Sequence, residues 1–152
     1  MDIAAIVRVG LIAAVTSAAQ PVPANLSALV ARARVDGRVA AWCGGRFRPG
    51  SSDAFAVAMT SQSGGGRYVV IEADASSKEL AQFSGGADLS CYTRAEAQRL
   101  DRTIRRSDTV HGRIAPRWNT TIVCGFIENT TAACWQFDPA KRVFVTIGGW
   151  TT

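Results

Sequence analysis

The chain has 152 residues, 47% of them hydrophobic and 19% charged, with 17 Lys plus Arg against 12 Asp plus Glu and a net charge of +5. That length and balance fit one globular domain with one sizeable core, and they exclude a multidomain enzyme, a collagen-like fibre and a disordered charged tail. Arginine carries nearly all the positive charge, since Lys78 and Lys141 are the only lysines.

The first segment reads as a targeting signal. A weakly positive stretch from Met1 to Arg8 is followed by an apolar run from Val9 to Val15 and then by Thr16, Ser17, Ala18 and Ala19. This order matches a secretory signal peptide over residues 1–19, cut after Ala19 with Ala18 as the alternative. A membrane anchor competes, because no charge falls between Arg8 and Arg32, but Gln20, Pro21, Pro23 and Asn25 interrupt the run short of a bilayer span. The expected product is a single exported domain over residues 20–152, periplasmic or secreted, with no integral membrane span after processing.

Residues 20–37 are expected to form a peripheral helical segment, with Asn25 capping a short helix that carries Leu26, Leu29 and Val30 and ends by Asp36-Gly37. From Val39 the period changes. Val39 to Phe47, Ala54 to Thr60, Arg67 to Ala73 and Glu79 to Phe83 read as short strands, with hairpin loops at Ser61 to Gly66 and Asp74 to Lys78. Thr93-Arg94-Ala95-Glu96 is a capping-box sequence, opening a helix to about Arg106 in which Asp101 and Arg105 form an i,i+4 pair. Thr120 to Phe126, Ala132 to Phe137 and Arg142 to Ile147 return to strand, the last two joined by a type I turn at Asp138-Pro139-Ala140-Lys141. The expected fold is α+β, with one small antiparallel sheet of about six or seven strands built around the Arg-rich helix and stapled by disulfides.

Four cysteines stand at 43, 91, 124 and 134, without C-x-x-C and without a Cys/His pairing, so a disulfide framework is expected and zinc is not. Centring the last hairpin on Asn129 places Cys124 opposite Cys134, Val123 opposite Trp135 and Gly125 opposite Ala133. Cys43 is then left for Cys91. Trp42 and Trp135 adjoin cysteines and are expected to pack on the bridges, whereas Trp118 and Trp150 lie nearer element ends, where exposure would suit stacking on sugar or peptide.

The thirteen residues from Gly45 to Val57, reading G-R-F-R-P-G-S-S-D-A-F-A-V, resemble the G-D-F-N-G-D-G-x-x-D-L-A-V hairpin of FG-GAP repeats, in the single-copy form carried by uncharacterised exported bacterial proteins. The resemblance implies a strand ending near Phe47, a tight loop closed by Asp53, and a strand through Phe55, Ala56 and Val57. Acidic loop residues bind calcium in that family, but Arg46, Arg48 and Gly50 hold their places here, so neither calcium nor any other metal or cofactor is expected.

Function is read from charge. Seven arginines, at 94, 99, 102, 105, 106, 113 and 117, face only Glu96, Asp101 and Asp108, leaving that stretch at +4. On a helical wheel Thr93, Ala97, Leu100 and Ile104 fall together, with the arginines opposite. Such a face is either a solvated surface or a recognition surface, because arginine's planar fork suits carboxylate and phosphate. Arg99, Arg102, Arg106, Arg113 and Trp118 are the candidate binding residues, for an acidic envelope component or protein. Nucleic acid is not the expected partner, since no nucleic-acid module signature is present. The leading expectation is a non-enzymatic binding or accessory module. The alternative is a small exported hydrolase using His111, the one histidine, with a nearby carboxylate, although no G-x-S-x-G elbow accompanies it.

Overall fold

The strand-rich middle of the chain folds as a meander in the computed structural model, which describes residues 21–152; the expected signal peptide lies outside the described residues. Strands β1 (Arg38–Gly45), β2 (Ala54–Thr60), β3 (Gly66–Ile71) and β4 (Ser77–Phe83) pair in sequence order, each antiparallel to the next. The second half builds a separate antiparallel sheet from β5 (Leu89–Tyr92), β6 (His111–Ile114), β7 (Ile122–Phe126), β8 (Thr131–Asp138) and β9 (Val143–Thr151), in the order β5-β7-β8-β9-β6. Two helices complete the described chain, α1 (Ala24–Ala33) before β1 and α2 (Arg94–Arg105) between β5 and β6.

Three apolar cores order these elements into four layers, α1, first sheet, second sheet, α2. Leu26 and Leu29 of α1 pack on Val57, Met59, Val69 and Ile71. The alternate residues of the same strands, Ala56, Ala58, Tyr68 and Val70, meet Leu89, Val123 and Trp135 of the second sheet. Ala97 and Ile104 of α2 cover Ile122, Cys124, Cys134 and Trp150 on that sheet's far face. Strands buried on both faces lose polar alternation, which is why Ala54–Thr60 and Tyr68–Ile71 read as nearly unbroken apolar runs.

The division into four and five strands corrects the expectation of one sheet of six or seven. The two strands the periodicity did not show, β5 and β6, are four-residue edges, one following Gly85-Gly86 and the other containing Gly112. Four residues are too few to display a period. Alternation also assigns residues to faces without saying which sheet a strand joins. The helices therefore lie on the outside of a sandwich, and neither sits at the centre of a single sheet.

Smaller departures have local causes. Pro23, with no side-chain hydrogen bond, takes the cap position expected of Asn25, and the helix ends at Arg34 in the left-handed region at φ 55°. Strand β9 runs past Ile147 because Gly148 and Gly149 bring it closer to its neighbours than a side chain permits: a Cβ at either would strike the carbonyl of Arg113 or Ala132. The turn before it is one residue longer than expected, with Arg142 N–H donating to Asp138 O at 2.8 Å and β9 starting at Val143.

Both disulfides pair as expected. Cys124 and Cys134 face each other across β7 and β8, with Cα atoms 4.1 Å apart, and Val123 opposes Trp135 as Gly125 opposes Ala133. Cys43 on β1 bonds Cys91 on β5, joining the two sheets across 48 residues of sequence. Between the sheets stands Tyr68, stacked on Phe83 with centroids 4.5 Å apart. Its hydroxyl lies 2.6 Å from Phe126 O and 3.0 Å from Asp88 O, to which it donates, and it accepts from Asp88 N–H at 3.3 Å. Gly125 makes room for this ring, since a Cβ there would come within 2.8 Å of the Tyr68 Cζ.

Candidate functional site

The arginine stripe is built on a well-anchored helix. Thr93 Oγ1 accepts from Glu96 N–H at 3.2 Å and Glu96 Oε2 accepts from Thr93 N–H at 3.2 Å, the reciprocal capping box expected from the sequence. Ala97 and Ile104 point inward, with Leu100 half-buried beside them. The fourth inward residue is polar. Asp101, 7% exposed, accepts from Ile114 N–H through Oδ1 at 2.8 Å and pairs through Oδ2 with Arg105 Nε at 3.0 Å. The expected Asp101–Arg105 pair therefore exists, and its buried carboxylate also clamps α2 to edge strand β6.

Arg99, Arg102 and Arg106 are all exposed. At 100° per residue they fall within about 60° of one another, diametrically opposite Ala97, Leu100, Asp101 and Ile104. Of the three ion pairs among the described residues, one joins Arg46 to Asp53 and one Arg48 to Glu72, so on α2 only Arg105 is neutralised. The stripe is thus a row of exposed arginines, on a fixed helix, with no ion-pair partner among the described residues.

The other two candidates stand apart from that row. Arg113 is exposed on β6 and alternates with Ile114, whose side chain enters the core beneath α2, so Arg113 leaves the opposite face of the strand. Trp118 is half-buried in the connection from β6 to β7, and its ring neighbour is Arg117, whose guanidinium carbon lies 5.9 Å from the ring centroid. This connection is held by a residue the sequence reading missed. Gln136, fully buried on β8, accepts from Arg117 N–H at 3.0 Å and donates to Trp118 O at 2.8 Å and Thr120 O at 3.2 Å. A glutamine between Trp135 and Phe137 in a strand buried on both faces was the available signal, because such a group must find partners.

The remaining tryptophans are placed by strand parity. Trp150 is 2% exposed and meets Phe126 edge-on at 6.1 Å, so the exposure expected of it is corrected: the glycines before it extend β9 and turn its ring under α2. Trp42 and Trp135 do not lie on the bridges of their neighbouring cysteines, because adjacent strand residues point to opposite faces. Trp42 packs beneath α1 with Phe55 at 5.9 Å, and Trp135 enters the core between the sheets. His111 is exposed at the start of β6, and none of the ion pairs among the described residues includes it.

Among the described residues no helix is long and apolar enough to cross a membrane, and no cluster of three or more His, Cys, Asp or Glu could hold a metal ion. Burial acts on two carboxylates away from the stripe, pushing Asp88 up to about 7 and raising Glu72, the latter partly offset by Arg48. No protein-family model matches the chain, and no significant match was found among curated proteins or solved structures.

Proposed function

We propose that the protein is an exported binding or accessory module that recognises an acidic partner through the outer face of α2. The observation that carries this reading is the row Arg99, Arg102 and Arg106, exposed, aligned and without a carboxylate partner among the described residues. At a rise of 1.5 Å per residue the three span about 10 Å of helix axis, a spacing suited to successive carboxylates or phosphates on an extended anionic surface. Anchoring by the capping box and by Asp101 supports it further, because the helix that carries the row is ordered before binding. Two disulfides, with no free cysteine among the described residues, are compatible with the oxidising compartment that export implies.

The test is capture from envelope extract with wild-type protein and the triple variant Arg99→Glu, Arg102→Glu, Arg106→Glu. Retention by the wild type should be lost in the variant while its circular dichroism is unchanged, and raising salt from about 50 to 500 mM should mimic the loss. Capture that survives charge reversal within a few-fold would leave the stripe as a solvated surface and overturn the reading.

A further inference from the structure

A second site lies in the loop that follows β1, remote in chemistry from the α2 stripe. The loop is closed by Arg46 Nε bonding Asp53 Oδ1 at 3.1 Å and is pinned to the second sheet by Arg46 N–H donating to Thr121 Oγ1 at 3.0 Å. Phe47 is drawn fully into the core between the sheets. Against the end of β3 the loop leaves a cavity of about 230 Å³, lined by Arg48, Ser51, Ser52, Glu72, Asp74 and Ser76.

Two of these side chains form a partly buried ion pair at the cavity wall. Arg48, its side chain 29% exposed, lies with its guanidinium carbon over the Phe137 ring, 5.0 Å from the centroid. Glu72, its side chain 10% exposed, brings Oε1 to 3.1 Å from Arg48 Nε. The two are close but misaligned, and neither atom makes a hydrogen bond. Glu72 Oε1, ion-paired with Arg48, still has a lone pair with which to accept a hydrogen bond at the cavity wall. The serines hold the loop itself: Ser51 Oγ donates to Arg48 O at 2.9 Å, and Ser76 donates to Asp74 Oδ1 through Oγ at 2.6 Å and through N–H at 2.9 Å.

The arrangement selects a ligand class. The buried Arg48–Glu72 pair carries no net charge, so a simple anion drawn to Arg48 meets Glu72 and a simple cation drawn to Glu72 meets Arg48, while the extra negative charge of Asp74 is exposed and screened by solvent. A hydroxyl group both donates and accepts, and a vicinal pair can accept from a guanidinium while donating to the carboxylate beside it. The volume of about 230 Å³ leaves room for one pyranose ring with its hydroxyls. We propose that this cavity binds a neutral, hydroxyl-rich ligand, a single sugar residue, through Arg48 and Glu72, independently of the α2 stripe.

Ligand-observed NMR saturation transfer on the full-length protein tests this with glucose, galactose, mannose and N-acetylglucosamine, beside methyl phosphate and ethylamine as charged probes, each of which has carbon-bound protons to observe. At least one sugar should bind with a Kd of about 1–10 mM, and the charged probes should not. Glu72→Gln and Arg48→Met, which keep side-chain length, should each weaken that binding about tenfold or more. Should either variant fail to fold, Ser52→Val reads the same site from an exposed position that no core contact depends on, and should also weaken binding. Absence of sugar binding, preference for any charged probe, or sugar binding indifferent to the folded variants would each overturn the proposal.

Discussion

Replacing Tyr68 with phenylalanine removes one hydroxyl from the junction between the sheets and leaves the ring in place. The hydroxyl lies 2.6 Å from Phe126 O and accepts from Asp88 N–H, whereas Asp88 O also accepts from Phe126 N–H at 3.3 Å, so loss of the hydroxyl deprives the Phe126 carbonyl and the Asp88 amide of the second sheet of a partner. One hydrogen bond is worth about 1 kcal/mol net, and a buried backbone group left unpaired costs about 1–3 kcal/mol, so Tyr68→Phe should destabilise by about 2–3 kcal/mol. Urea unfolding at fixed pH measures this as a lower midpoint with an unchanged slope, an unchanged slope showing that no other surface was exposed. Gly125→Ala is the partner experiment. Its new methyl enters the space of the same ring, so the two substitutions should not add, whereas at unrelated sites they would. A loss below about 0.5 kcal/mol for Tyr68→Phe would refute the argument that this hydroxyl joins the sheets.

Three further outcomes follow from the same geometry. Cys43→Ser with Cys91→Ser should cost about 4 kcal/mol and Cys124→Ser with Cys134→Ser about 3 kcal/mol in urea unfolding, since the first pair closes the longer loop; the reverse order would contradict a chain-entropy origin. Asp88, raised by burial to about 7 from 3.8, is protonated in both states below about pH 4; as pH rises to 7 the unfolded chain releases that proton first, so stability falls across this window and levels above it. With Asp88 only half-buried, solvent screening reduces the fall to about 1–2 kcal/mol, and Asp88→Asn should flatten the profile measured from pH 4 to 8. Gln136→Leu should cost about 2–3 kcal/mol and speed hydrogen exchange of the Arg117 amide, with unchanged protection there arguing against its role in holding the connection.

How far the sequence reached depends on the range of each interaction. The Cys124–Cys134 register was legible because a short polar turn at Asn129 fixes which residues oppose, and the capping box because its partners lie three residues apart. The split into two sheets was not, since a strand buried on both faces carries no mark of its partner. Asp101 and Gln136 turned inward against their polarity because each satisfies backbone groups from a distant segment, Ile114 for one and Arg117 to Thr120 for the other. Arg99, Arg102 and Arg106 were recoverable from a helical wheel, whereas the separation of Arg113 from them required knowing that residues 111–114 form a strand. The Arg48–Glu72 cavity joins a loop, the end of β3 and a phenylalanine of β8, and no window of sequence contains all three.

The pairing of β5 with β7 sets Cys91 beside Val123 and Ser90 beside Cys124, so two cysteines of different bridges lie one register step apart on adjacent strands. Pleating turns Cys91 into the core between the sheets and Cys124 under α2, with the sheet itself as a partition. Correct connectivity is thereby protected against exchange: once β5 has docked, a thiolate on one side of the sheet has no route to the sulfur on the other. A one-residue slip of β5 would turn Cys91 to the α2 side of the sheet and remove that barrier.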